Sequence, residues 1–388
     1  MLRWIQREEP AAYAQAAVVG HPSTFLLHRL TGRFAIDHAA AQTTGLFAYR
    51  GEPRWLPEAA EAMDVALEKL PEPVDAVAAA GTLTATAATA LGLEPELPVS
   101  AGANDSSCAA FALAILEPGR LGFLLGTTNA VVTAVDGPRF GPEFVMRRSI
   151  VPGQWLAVGA TATGGASMDW LLRLLDIATG DPAEMDGLVG DRRIERDSPF
   201  FLPHLAGERS PLWDPAARGT LHGLNLATDR RALLLAGIEG NAFALREVLE
   251  AMRDRFGQPA NEALVTGSQA RGVRFMQALA DVTKLRLRVA EMADAAPLGA
   301  ALLGRVAAGE CAVEDLRAAT VPVATVVEPT AGAGASYDER FARYREIYEV
   351  LHSDFTLRQV TDGQSRCIHS LPLEAVGGVG WDVVHVHV

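Results

Sequence analysis

Residues 97–135 read LPVSAGANDSSCAAFALAILEPGRLGFLLGTTNAVVTAV, and this stretch decides the fold class. Leu97-Pro98-Val99-Ser100-Ala101-Gly102 is a short apolar run that predicts a strand. It leads through Ala103-Asn104-Asp105 into a helix of small residues running through Ile115. Pro118-Gly119 turns the chain into a second strand, Leu121–Leu125. That strand stops at Gly126-Thr127-Thr128, and a further apolar strand covers Ala130–Val135. Strands broken by glycine turns, with helices between them, are the grammar of an α/β protein.

The same reading extends in both directions. The first 32 residues predict helices, one opening at Pro22-Ser23-Thr24 and ending at Thr31-Gly32. Arg33 to Asp37 predicts a short strand, and residues 58–69 an amphipathic helix cut off by Pro71 and Pro73. Pro199, Pro203, Pro211 and Pro215 cluster, which places a boundary between two halves near 195–210. Beyond it the pattern gives a long helix (229–256), a strand ending at Gly267, a helix (270–283), a strand (285–289) and a helix from Ala295. From Gln364 the composition changes, and a frayed tail is a simpler account of His385 and His387 than a metal site. The resulting division is 1–200, 201–355 and a tail, 356–388.

Composition bounds the function. Of 388 residues, 49% are hydrophobic and 21% charged, which suits a folded chain with ample core. The net charge is −13 and Lys69 and Lys284 are the only lysines, so no basic cluster points to nucleic acid. Cys108, Cys311 and Cys367 have neither zinc-site nor disulfide spacing, which fits a reducing, cytoplasmic setting. The charged N-terminus is no signal peptide, and no apolar run is long enough for a membrane span.

Four places offer chemistry. Asp105 sits where a strand passes into a helix, the position at which ligands gather in open α/β sheets. It reads either as the helix cap or as a base that takes a hydroxyl proton. Gly126-Thr127-Thr128 reads either as an ordinary turn or as a phosphate-holding one; no Walker loop occurs in the chain. Gly267-Ser268-Gln269-Ala270-Arg271-Gly272 lets backbone approach a ligand, though helix entry alone explains it, and the small residues at Gly299-Ala300 pack closely either on a ligand or on another helix. The segment 206–219, dense in charge and proline, reads either as an ordered loop pinned by Arg–carboxylate pairs or as a wall near a cleft.

In order along the chain, these segments resemble the FGGY carbohydrate kinases. The resemblance rests on LTGRFAID (30–37), AGAND (101–105), EPG (117–119), LGTT (125–128), GGASMDWL (164–171), GERSPLWDPAARG (207–219), VTGSQAR (265–271) and LGAA (298–301). It covers roughly residues 1–350, and the 202–224 stretch looks most like the gluconate kinase branch. It implies two actin-like, ribonuclease H-like α/β domains with the site in the cleft between them. It implies transfer of the ATP γ-phosphate, with Mg2+, to a hydroxyl of a sugar, polyol or sugar acid. It makes Asp105 the catalytic base and Asn104 a substrate contact. Gly126, Thr127 and Thr128 match the phosphate turn, Gly267, Ser268 and Ala270 the adenosine loop, and Gly299 and Ala300 the adenine-side segment. No resident metal ligand among the side chains is implied. Departures are Asn129, Ser268 and Ala232, where the family favours other residues. The family's opening hairpin, with its Asp-x-Gly-Thr-Thr-type loop, has no counterpart here, so the first domain is expected to be incomplete at its N-terminus. An exposed sheet edge there would favour a homodimer. A non-catalytic nucleotide- or sugar-binding remnant of the family is the alternative.

Overall fold

The computed structural model describes residues 2–178, 180–257, 261–317 and 321–361. Cys367, His385 and His387 lie outside the described residues, and the tail expected from 356 opens inside a helix. The chain begins with three helices, α1 (Leu2–Glu8), α2 (Pro10–Gln15) and α3 (Pro22–Thr31), the last ended by left-handed Gly32 as its sequence requires. Strand β1 (Ala35–Asp37) runs into α4 (His38–Gln42), whose first N–H groups are capped by Asp37.

Next comes α5 (Pro57–Ala62), shorter than the 58–69 helix expected. Met63 ends it, Asp64 turns left-handed (φ 53°), and the Val65 N–H bonds back to the Ala60 carbonyl. The reversal buries Val65 against Leu46 and Ala60, a gain that continued helix would forgo. Strand β2 (Glu72–Val74) pairs parallel with β1. Strand β3 (Ala79–Thr82), α6 (Ala85–Leu91) and β4 (Pro98–Ser100) follow, with β3 and β4 antiparallel. Helix α7 (Asp105–Ala112) stops before the expected Ile115, because Ala114 adopts a left-handed conformation and swings Ile115 into the core.

The rest is built on one seven-stranded sheet. Its members are β5 (Leu121–Leu125), β6 (Asn129–Val135), β7 (Val145–Arg148), β8 (Trp155–Ala160), β11 (Glu262–Thr266), β12 (Arg286–Ala290) and β13 (Val323–Val327). The order across the sheet is β13-β12-β11-β5-β6-β8-β7. Strands β9 (Phe200–Leu202) and β10 (Thr220–His222) form a separate pair. The sheet thus joins residues 121–160 to 262–327, across the boundary expected near 195–210. The proline cluster marks a loop within this unit and not its edge: proline fixes local backbone and says nothing of which strands pair.

Helices cover both faces, which explains the near-continuous apolar run of β5. Leu121, Phe123 and Leu125 pack into one layer with Leu235, Phe243 and Val248 of α10 (Arg230–Phe256). Val132, Ala134 and Leu264 face the other, with Ala109 and Ala110 of α7. Helices α8 (Gly165–Leu174), α9 (Pro182–Val189) and α11 (Val273–Thr283) join the first layer, as does α14 (Ala333–Thr361). Helix α12 (Ala296–Ala307) packs on α7, and the short α13 (Val313–Arg317) follows it. No helix among the described residues is long and apolar enough to cross a membrane.

Candidate active site

Helix α7 follows β4 after the short link 101–104, and its capping residue is Asn104, not Asp105. Asn104 Oδ1 accepts the Ser107 N–H at 2.9 Å. Asp105 is the first helical residue, exposed, with Oδ1 accepting the N–H of its neighbour Ser106 at 2.6 Å. The cap reading of Asp105 is thereby displaced. Its carboxylate stands at the positive end of the helix, where negative charge is favoured. Asn104 Nδ2 is buried and has no protein partner.

Around this turn stand residues from two other elements. Arg147 of β7 donates from Nη1 to Ser106 Oγ at 3.2 Å, and its charge faces Asp105 and Asp37. Asp37 is 3% exposed and holds α4 through the Ala39 N–H (2.9 Å) and Ala40 N–H (3.1 Å). Burial pushes its carboxyl up to about 6, against the downward pull of those N–H groups and of Arg147. Folding therefore favours the protonated form, and Asp37 costs stability as pH rises from about 4 to about 6, by at most roughly 3 kcal/mol. Asp37→Asn keeps a capping oxygen, so urea denaturation across that window is expected to lose this component of its slope. An unchanged slope would show that Asp37 does not titrate there. Sequence inspection passed over Arg147 and the burial of Asp37. Arg147 lies on a strand that the sequence reading did not assign, and no local spacing announces its approach to α7.

A second set of groups meets at the ends of β5 and β11. The Gly126-Thr127-Thr128 turn is tied down through its carbonyls. Gly126 O accepts the Gly165 N–H (2.9 Å), and Thr127 O accepts those of Gly164 (3.0 Å) and Ala166 (3.1 Å). Both threonines remain exposed. Gly267 has φ 121° and passes so close to Leu125 that a Cβ would run into that residue's carbonyl oxygen. The chain then makes a single 3-10 turn, Ser268–Arg271, with Ser268 exposed, Ala270 half-buried and Gln269 lying on Gly165. The structure thus brings residues 126–128, 164–166 and 267–269 together in a tight, glycine-lined edge, which suits close approach of a polyphosphate to backbone. Gly299 is taken up differently. It lies against the Cys108 carbonyl, leaving no room for a Cβ, so its smallness serves the packing of α12 on α7; Ala300 beside it is exposed.

The two sets of groups are linked at the end of β11. Thr266 Oγ1, at the end of β11, donates to the Met292 carbonyl at 2.8 Å, just before α12. From there α12 reaches Cys108, one turn into α7. The 204–218 loop braces the chain at Thr161 and Ala162, just before α8. Glu208 bonds His204 Nδ1 at 2.7 Å and accepts the Ala162 N–H at 2.6 Å, and Arg209 donates to the Thr161 carbonyl at 2.8 Å. The loop is pinned by histidine and backbone groups, with Arg218 turned onto the carbonyls of Pro215, Ala216 and Ala217.

Comparison with known proteins agrees with this geometry. Residues 1–112 match the N-terminal domain, and residues 121–308 the C-terminal domain, of the FGGY family of carbohydrate kinases. The chain is 25% identical over 333 residues to gluconokinase from Bacillus subtilis, covering 82% of this chain and 65% of that one. It is 27% identical over 354 residues to xylulose kinase from Escherichia coli, covering 90% and 72%. The chain therefore spans about two thirds of the length of these curated relatives. Among solved structures, a xylulose kinase from Brucella ovis superposes with a TM-score of 0.83 at 28% identity, covering 91% of this chain and 72% of that one. Gluconate kinase from Lactobacillus acidophilus gives 0.83 at 22% identity, covering 92% and 72%, a likeness of fold. With both family domains matched in order and the actin-like architecture shared, the chain belongs to the FGGY family of carbohydrate kinases.

Proposed function

We propose that this protein transfers the γ-phosphoryl group of ATP to a hydroxyl of a small sugar, polyol or sugar acid. The observation that carries the reading is the division of labour at the start of α7. Asn104 satisfies the helix end, and the Asp105 carboxylate is left exposed for a substrate. Asp105 accepts the hydroxyl proton as the sugar oxygen bonds to phosphorus and the bond to the ADP oxygen breaks. When bound, magnesium–ATP supplies the phosphoryl group and a cation that offsets phosphate charge. The exposed Thr127 and Thr128 hydroxyls and the glycine-lined edge at Gly267, Ser268 and Ala270 position that donor, with exposed Ala300 on the adenine side. We place the division between the two domains between residues 112 and 121, where neither family domain matches and the seven-stranded sheet has yet to begin.

Gluconate is put forward as first substrate and xylulose as second, on the 202–224 sequence and on the names of the relatives. The test is ADP release by the purified chain with ATP, magnesium and, in parallel, gluconate, xylulose, ribulose and glycerol. Turnover that depends on one of these is the expected result. Folded protein that binds ADP and shows no turnover with any of them would overturn the kinase reading in favour of a binding protein.

A further inference from the structure

Three side chains at the start of α7 form a relay whose end is open. Arg147 Nη1 donates to Ser106 Oγ at 3.2 Å, and Ser106 Oγ lies 3.1 Å from Asn104 Oδ1. Asn104 Oδ1 also accepts the Ser107 N–H at 2.9 Å. With Arg147 as donor to it, the Ser106 hydroxyl gives its own proton to Asn104. Both acceptor sites of Oδ1 are then used, so flipping the amide would set an NH2 group against two donors. The amide is fixed with Nδ2 turned away from the relay, buried and without a protein partner. Buried donors are almost always paired in a finished fold. Asn104 is followed in the chain by Asp105, whose exposed carboxylate is an acceptor.

We infer that Arg147 is a positioning residue, which through Ser106 holds the Asn104 amide so that Nδ2 donates to a substrate oxygen next to the hydroxyl that Asp105 deprotonates. The ligand chemistry that satisfies one donor and one acceptor side by side is a vicinal diol. One hydroxyl gives its proton to Asp105, and the oxygen of its neighbour accepts from Asn104. The role of Asp105 in this statement rests on the proposed kinase reading; the relay itself does not.

The test uses Arg147→Met, Ser106→Ala and the double variant, with D-gluconate and D-xylulose as probes. Each single variant is expected to raise the KM for sugar, Arg147→Met by about tenfold and Ser106→Ala by less, while the KM for ATP stays within about twofold. The double variant should be no worse than Arg147→Met, since both substitutions cut one relay. A sugar KM unchanged in both, or a rise in both KM values together, would overturn the inference. Should Arg147→Met fail to fold, Ser106→Ala carries the test, because it removes a single hydroxyl. If the wild-type chain shows no turnover, the kinase reading fails and the relay is read by calorimetric binding of the same two sugars. Weaker binding in Ser106→Ala then upholds it, and equal binding, or none in the wild type, overturns it.

Discussion

Replacement of Asp105 by asparagine is expected to lower sugar-dependent ADP release by about 10²- to 10⁴-fold, the range that a positioned general base contributes. The substitution keeps the size of the side chain and its acceptor oxygen toward the Ser106 N–H. It removes only the capacity to take a proton. Because Asn104 is the cap, α7 does not depend on Asp105 for its start, and the variant should unfold within about 0.5 kcal/mol of wild type. The loss should fall on kcat, with both KM values nearly unchanged. Turnover equal to wild type would place the base elsewhere. A loss of stability matching the loss of activity would return Asp105 to a structural role.

The second large effect is expected at Gly267. Its backbone lies at φ 121° and ψ 162°, a region that side chains avoid, and the carbonyl of Leu125 occupies the place of a Cβ. The cause is the parallel register of β11 on β5, in which Thr266 stands opposite Leu124 and the next residue must cross the end of β5. Gly267→Ala must strain the backbone and push two strands apart, at a cost of about 3 kcal/mol or more. The crossing also sets Gln269 against Gly165, so segments 126–128, 164–166 and 267–269 should come apart with it. Urea denaturation and binding of ADP would be measured together. Loss of both is expected. Unchanged stability would mean that the close crossing does not hold, while lost stability with intact ADP binding would detach this edge from the nucleotide.

Much of the architecture was legible because it is written in periodicity and breakers. The apolar runs at 121–125 and 130–135, the helix over 229–256 and the glycine turns at 126 and 267 are local signals, and each element lies where those signals put it. The errors came where distant contacts decide. The helix after Pro57 ends early because Val65 packs on Leu46, and the pairing of β11 with β5 crosses a proline-rich loop that looked like a boundary. At the site, Asp105 was visible from its place after a strand. That Asn104 is the cap could be weighed only with geometry, since either residue is a good one. Arg147 belongs to a strand the pattern did not reveal, and it acts 41 residues away from Ser106.

Gly299 seats α12 directly on the backbone of α7 at Cys108. A helix of eight residues is a lever, and its fulcrum here is the Cys108 carbonyl, whose oxygen would collide with a Cβ at residue 299. Any bulk added at 299 would press on α7 one turn from its start and shift the carboxylate at its tip. A displacement of about 1 Å at a reacting group is enough to cost about two orders of magnitude in rate. A change at residue 299, which lies on another helix, would on the proposed function thus present itself in an assay as the loss of the base.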